Sequence, residues 1–423
     1  MPASLESPSS PSQSLEAVEH QPRRIQLAII FATRTVLSTA HRIIYPFLPS
    51  IARGLGVSLA AAGVLVTVRM LAGLTAPLFG PSADRRSRRD TMEIALVLFP
   101  LAGLLLVAAG SLSAGGLVPG SLAVAAIAFM LFGLSKVLYD PTVHAYLGDT
   151  VPYHHRGRAI GIVEFSWSAA WLIGVPIAGV LIERLGWRAP WAVLSVLGLL
   201  CLALTRLRLP RGRPPRRQED GISPGVMLAP TWRRLLRRRR VLVLLLTSLL
   251  LTMALEIPFI VYGAWLETSF GLSLSALGVA SIVVGLAEAA AELGTTLLTD
   301  RLGKRRSVLT GLLGLAAGLV LLPGLAKLGL VGALAGVALV MITFEFAIVS
   351  LLPLATELVP EERASLLSLN VTAFSLGRIA GAFIGGGLWQ WSGGGIAPNA
   401  AAGAACTLLA ALLMFRGMVE IEG

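Results

Sequence analysis

The chain reads as an all-α integral membrane protein of twelve transmembrane helices in two pseudo-symmetric six-helix bundles, and three observations carry that reading. Of its 423 residues 55% are hydrophobic and only 14% charged, with mean hydropathy +0.78. A soluble core of this size has no way to hide so much apolar surface from water. Mostly apolar runs of roughly 20 residues recur along the chain, each long enough to cross about 30 Å of hydrocarbon at ~1.5 Å per residue. One basic punctuation mark appears twice, roughly 215 residues apart and each time at the foot of a hydrophobic hairpin, which points to two related halves.

In order, the runs fall near 25–50, 58–83, 90–112, 118–148, 157–183 and 188–207, then 241–266, 274–299, 306–326, 328–357, 363–391 and 396–417. Long Leu/Ala/Gly/Val stretches satisfy their own backbone in lipid as helices, and the alternating ten-residue strands of a barrel are absent from the sequence. Residues 1–22 are Ser/Pro-rich with Glu6, Glu16 and Glu19, lack the basic start and apolar stretch of a cleavable signal, and read as a disordered tail. The stretch 208–240 is Pro- and Arg-rich and reads as a basic connector between bundles 23–207 and 241–423. Its end, from Trp232 to Arg240, has the pattern of a short surface helix with Trp232, Leu235 and Leu236 dipping inward, either to meet anionic lipid or only to orient the chain.

The formal charge of +12 is no nucleic-acid signature, because the basic residues fall in alternate loops. Arg23, Arg24, the 85–89 cluster, Arg156, Arg158, the connector, the 301–306 cluster and Arg363 share one side, whereas 110–120 and 392–399 carry no Lys or Arg. The positive-inside rule makes that side the cytoplasm, giving a multi-pass protein of the plasma (inner) membrane with both termini cytoplasmic. Cys201 and Cys406 sit inside spans and support neither a disulfide framework nor a metal site. The expected partners are a small-molecule substrate, protons and membrane lipid, with no cofactor, no metal and no nucleic acid, and the chain is expected to act as a monomer.

The repeat is detailed. Gly80-Pro-Ser-Ala-Asp84-Arg85-Arg86-Ser87-Arg88-Arg89 matches Thr296-Leu-Leu-Thr-Asp300-Arg301-Leu302-Gly303-Lys304-Arg305-Arg306. Gly56-Val-Ser-Leu59 echoes Gly271-Leu-Ser-Leu274, and Pro141 with Asp149 to Ala159 echoes Pro353 with Glu357 to Ala364. These residues resemble the major facilitator superfamily over essentially everything after the tail. Gly80, Asp84, Arg85, Arg88 and Arg89 match that family's hinge between second and third spans, with Ser87 in place of its second glycine. In the other half Asp300, Arg301, Gly303, Lys304 and Arg305 match, with Thr296 in place of the first glycine. The chemistry of the hinge points to a gate at these positions, with Asp84 or Asp300 pairing to basic residues and a helix N-terminus in one state; the alternative is topology marking by Arg and Lys, which needs no carboxylate there. Trp171 to Gly179 partly resembles the family's antiporter motif, although Val175 stands where a glycine precedes the proline and Phe129 where the family's fourth-span arginine stands.

Ionisable groups at mid-bilayer cost about 2.5–3.5 kcal/mol on insertion scales and therefore mark cavities or partners. Arg34, Ser38, His41 or Arg42, and Tyr45 recur along one stripe of the first span, and Arg42 has the alternative of snorkelling to headgroups. Arg69 stands in the second span. Lys136 and Asp140 are four apart in the fourth, where they either neutralise one another or serve a cavity beside Pro141, and Glu164 lies in the fifth. Glu256, Glu288, Glu292, Glu345 and Arg378 populate the second half. Glu288 and Glu292, also four apart, repel unless one holds a proton, which suits proton coupling. Gly377, Gly381 and Gly385 repeat every fourth residue in the eleventh span and allow close helix approach.

Together these point to a secondary transporter working by alternating access, with proton-coupled efflux of an amphipathic or cationic small molecule as the leading reading. The alternative is an anionic solute or lipid recognised by the cationic first half. An enzyme is not expected, because the sequence has no nucleophile elbow, no metal-spaced cluster and no phosphate-binding loop.

Overall fold

The computed structural model describes residues 24–75, 87–211, 232–359 and 362–418, and every element in these ranges is helical or a turn. Among the described residues ten helices are long and apolar enough to span a membrane; the pair Arg24–Arg42 and Ile44–Leu55, bent by 56°, makes another span, and Leu59–Leu74 is a shorter apolar helix. With these two counted, the spans follow the predicted order. The third to sixth are Arg88–Ala114, Val118–Thr150, the broken Tyr153–Leu185 and Ala189–Arg208. The seventh is the broken pair Arg239–Phe259 and Tyr262–Phe270, and the eighth runs from Leu274 to Leu302 with a break at Ser281. Lys304–Ala326, Leu330–Leu358, Arg363–Trp391 and Ile396–Gly417 complete the chain.

The halves repeat in local chemistry as well as in order. Gly56 and Gly271 both take the left-handed conformation (φ 68° and 63°) that ends a helix and reverses the chain. Two residues on, Ser58 and Ser273 both cap the next helix, accepting from the backbone N–H of Ala61 (3.2 Å) and Ala276 (3.3 Å). The seams between halves obey the same six-span offset. The second span packs on the eleventh, the fifth on the eighth, and the outer segment of the first on that of the seventh. Moving each partner by six spans exchanges the first two seams and returns the third to itself, which is the signature of an internal two-fold axis.

Small residues set the close approaches. In the eleventh span a side chain at Gly377, Gly381 or Gly385 would strike the backbone of the seventh at Leu249, Met253 and Ile257 in turn. At the end opposite the basic loops the halves are sealed by Arg53 and Glu267 (2.9 Å) and by the Ser275 N–H donating to Glu183 (2.6 Å). Gly263 there lies directly against the Pro46 carbonyl. At the basic end, Arg88–Asp149 (3.2 Å) and Lys304–Glu357 each join elements of a single half, and Arg234–Glu362 (2.6 Å) ties the connector to the second half.

Gly263→Ala therefore drives a methyl group into rigid backbone across the seam, an overpacking that costs about 1–3 kcal/mol. It is expected to slow disulfide cross-linking between Arg53→Cys and Glu267→Cys by at least ~5-fold relative to the same pair in a Gly263 background. Equal rates would mean that this seam does not govern closure.

Beside the seventh span, Trp232 is half-buried, Leu235 is fully buried and Leu236 remains 40% exposed. This segment docks on the protein, held through Arg234, so only part of the inward-dipping pattern read from the sequence is realised.

Candidate functional site

Two polar clusters occupy the middle of the bundle. The first lies within the first half. Arg34, 2% exposed, grips Glu164 through two guanidinium nitrogens at 3.0 Å each, reaches Asp140 at 3.3 Å and donates to the Val163 carbonyl at 2.9 Å. Lys136 bridges Asp140 (3.0 Å) and Ser38 (3.2 Å), while His144 meets Glu164 at 2.6 Å. The Lys136–Asp140 pair anticipated within one helix is thus real, but it is one edge of a four-charge network in which two cations meet two carboxylates. Taking these charges out of water is offset by a bidentate geometry and by nearly complete hydrogen bonding.

The second cluster lies between the halves around a cavity of about 230 Å³ lined by Arg42, Tyr45, Glu164, Glu256, Glu288, Glu292, Glu345 and Arg378. Arg42 does not snorkel. It crosses the seam to hold both carboxylate oxygens of Glu288 at 2.8 and 2.9 Å, and the Trp171 indole N–H donates to the same carboxylate at 3.1 Å. Glu256 accepts from the Tyr45 hydroxyl at 3.3 Å through one oxygen; its other oxygen, Oε1, is buried with no hydrogen-bond partner. Arg69 donates to the Tyr45 hydroxyl (3.3 Å) and the His41 carbonyl (2.9 Å). Arg378, expected to be the main cation beside these glutamates, shares that place with Arg42 and Arg69 from the opposite half.

Backbone breaks aim these groups. Pro46 has no N–H for the Arg42 carbonyl, and its ring crowds the turn before it, so the first span bends at Ile43. The stripe from Arg34 to Tyr45 therefore follows two helix axes, and Arg69 caps a carbonyl beside the break. Pro176 acts likewise in the fifth span, where residues Ala170–Gly174 widen into a π turn of the kind that marks functional helices. In the seventh span Pro258 precedes the break, and Asn399 of the twelfth donates to the Ile257 and Gly385 carbonyls at 2.9 Å each, fixing the turn that follows Glu256.

Sequence reading passed over the aromatic wall. Trp167 faces the cavity with Lys136 3.9 Å, Arg42 4.5 Å and Arg34 5.9 Å from its ring centre, so one indole touches both clusters. Phe259 packs on Tyr45 (4.9 Å), Tyr262 (5.3 Å) and Trp171 (6.0 Å). The available signal was the pair Trp167 and Trp171, four apart beside Glu164 at mid-span, where tryptophans have no interfacial role.

Of the hinge residues, Gly80, Asp84 and Arg85 lie outside the described residues, as does the Asp300 side chain. Arg89 binds Glu93 (2.7 Å) and the Leu209 carbonyl (2.9 Å); Arg305 donates to the Phe415 carbonyl at 2.8 Å; Arg301 is exposed; and Gly303 takes φ 84° between the eighth and ninth spans. Cys201 and Cys406 are free. Among the described residues no group of three or more His, Cys, Asp or Glu is placed to hold a metal.

A polytopic bundle of two related six-helix units, with buried charges around a cavity on their axis, defines a secondary transporter. The chain belongs to the Major Facilitator Superfamily, whose family model matches residues 30–286 and 244–420. Among relatives it is 26% identical to the MFS-type transporter YceJ of Bacillus subtilis over 86% of this chain and 88% of that one. It is 27% identical to the inner membrane transport protein YdhP of Escherichia coli K12 over 87% and 89%. A shorter stretch, 37% of each chain, is 28% identical to Multidrug resistance protein 2 of Bacillus subtilis. The crystal structure of a D-xylose–proton symporter superposes with TM-score 0.73 at 17% identity, covering 94% of this chain and 98% of that one, a likeness of fold alone. The protein is a multi-pass membrane transporter for small molecules and not an enzyme.

Proposed function

We propose that this transporter exchanges protons for an amphipathic organic cation and works as an exporter. One observation carries the reading. Among the described residues at mid-bundle, with His144 beside Glu164 counted as neutral, Arg34, Arg42, Arg69, Lys136 and Arg378 stand against Asp140, Glu164, Glu256, Glu288, Glu292 and Glu345, one carboxylate in excess. A cavity walled by membrane-spanning helices resists net charge, so the surplus is neutralised by one proton or by one cationic group, but not by both together. Mutual exclusion of this kind is the condition for exchange, and an inward proton gradient then expels the cation. Aromatic faces at Trp167, Phe259 and Phe344 suit the apolar part of such a molecule.

In this reading the basic end is cytoplasmic, bundles 23–207 and 241–423 rock about the cavity, connector 208–240 joins them, and the two Asp-Arg hinges control the cytoplasmic gate. The seam sealed opposite the basic end supports an inward-facing state. The anion alternative has less support, because Arg34, Lys136 and Arg42 already spend their charge on carboxylates at 2.8–3.3 Å.

The test is transport of tetraphenylphosphonium or ethidium in proteoliposomes. A proton gradient should drive accumulation against the concentration gradient, and apparent affinity for the cation should rise with pH as proton competition falls. Indifference to the gradient for every cation tried, together with stabilisation by anions alone, would replace this reading by the alternative. Trp167→Ala is expected to raise KM for the cation at least ~5-fold, the loss of one desolvated cation–π contact, while Trp167→Phe retains most of the affinity.

A further inference from the structure

Apart from the central cavity, a larger groove of about 620 Å³ lies at the basic end between the first and fifth spans, within the size range of ligand pockets. Its walls are apolar, among them Phe31, Ala159 and Ile162, and its rim brings Arg24, His155 and Arg158 together from two different helices. Among the described residues neither Arg24 nor Arg158 has an ion-pair partner, and both are exposed. Ile162, 43% exposed, lines the groove, and Ile25 (53%) and Phe165 (44%) are further exposed apolar side chains on the same two segments. Cations at headgroup depth above an apolar slot complement one kind of molecule already present at that depth.

We propose that this groove seats an anionic phospholipid of the leaflet at the basic end, its phosphate between Arg24 and Arg158 and an acyl chain along Phe31, Ala159 and Ile162. One turn deeper, Arg34 follows Phe31 by three residues and Glu164 follows Ile162 by two. A lipid in the slot therefore braces the two helices that carry the Arg34–Glu164 pair and stabilises the arrangement described.

The full chain in phosphatidylcholine nanodiscs is compared with discs containing phosphatidylglycerol. Phosphatidylglycerol is expected to raise Tm by ~3 °C or more and to remain bound at one copy in native mass spectrometry. Both effects should vanish in Arg24→Gln/Arg158→Gln, and in Ala159→Trp, which fills the slot and keeps both charges. Arg237→Gln/Arg240→Gln, which removes two cations elsewhere at the same end, should leave both effects intact. An equal loss in this control pair would assign the effect to the general surface field and overturn the proposal, as would a full phosphatidylglycerol response in the Arg24/Arg158 variant. Inorganic phosphate alone should give no shift; a shift equal to that of the lipid would identify a free-anion site instead. If Ala159→Trp does not fold, the two charge pairs still decide the matter.

Discussion

Glu256→Gln is expected to uncouple transport from the proton gradient, reducing gradient-driven accumulation by at least ~10-fold while exchange of substrate for substrate continues only at a raised KM. The reason lies in how differently the cavity glutamates are held. Glu288 has both oxygens engaged by Arg42 and one also by Trp171, so it is committed to a structural pair. Glu256 is 2% exposed and lines the same cavity, yet its Oε1 has no partner. A buried oxygen left in that state is either protonated or waiting for a donor. Glutamine keeps the shape and the Tyr45 contact but removes the exchangeable proton together with the surplus charge, so coupling should be lost and the cation should bind more weakly and without dependence on pH. The measurement is accumulation of the organic cation in proteoliposomes with and without a pH difference, beside counterflow at equal pH. Full gradient dependence in Glu256→Gln, with its loss in Glu292→Gln or Glu345→Gln, would move the proton to another wall of the cavity.

How much of this was legible in the sequence follows from which interactions are local. Span order follows from apolar run length, which the thickness of the bilayer fixes. The echo of Gly56 and Ser58 in Gly271 and Ser273 is legible because a left-handed glycine and a serine cap are properties of adjacent residues. Buried charges announce themselves by their cost, so each expected wall residue lies in one of the two clusters. Their partners do not. Arg42 and Glu288 are 246 residues apart and meet only because the two-fold arrangement brings the first span to the eighth. The bend at Ile43 is latent in Pro46 four residues from Arg42, yet its direction depends on what the outer segment packs against. The spacing of Trp167 and Trp171 beside Glu164 marks a mid-span aromatic pair, but which cations Trp167 faces is set only by the positions of Arg34, Arg42 and Lys136 on other helices.

The Arg42–Glu288 pair gives the sharpest energetic test, because its two charges lie on opposite sides of the moving seam. Glu288 is 1% exposed, so Arg42→Met leaves a buried carboxylate in a cavity it shares with Glu292 and Glu345, with the Trp171 N–H as its remaining hydrogen bond. Breaking one side of such a pair is expected to cost about 3–5 kcal/mol, read as a large fall in Tm. Arg42→Met/Glu288→Met replaces both charges by side chains of similar volume and should recover most of that loss, since well-packed apolar substitutes for buried pairs are close to neutral. The double-mutant cycle then separates the pair's coupling from the desolvation of its members. Recovery of stability should not bring back transport, because a seam held by apolar contact no longer answers to the charge state of the cavity. If Arg42→Met alone melts with the wild type, Glu288 is neutral in the resting protein; the proton would then belong to Glu288, and the surplus charge would pass from Glu256 to its neighbour on the eighth span.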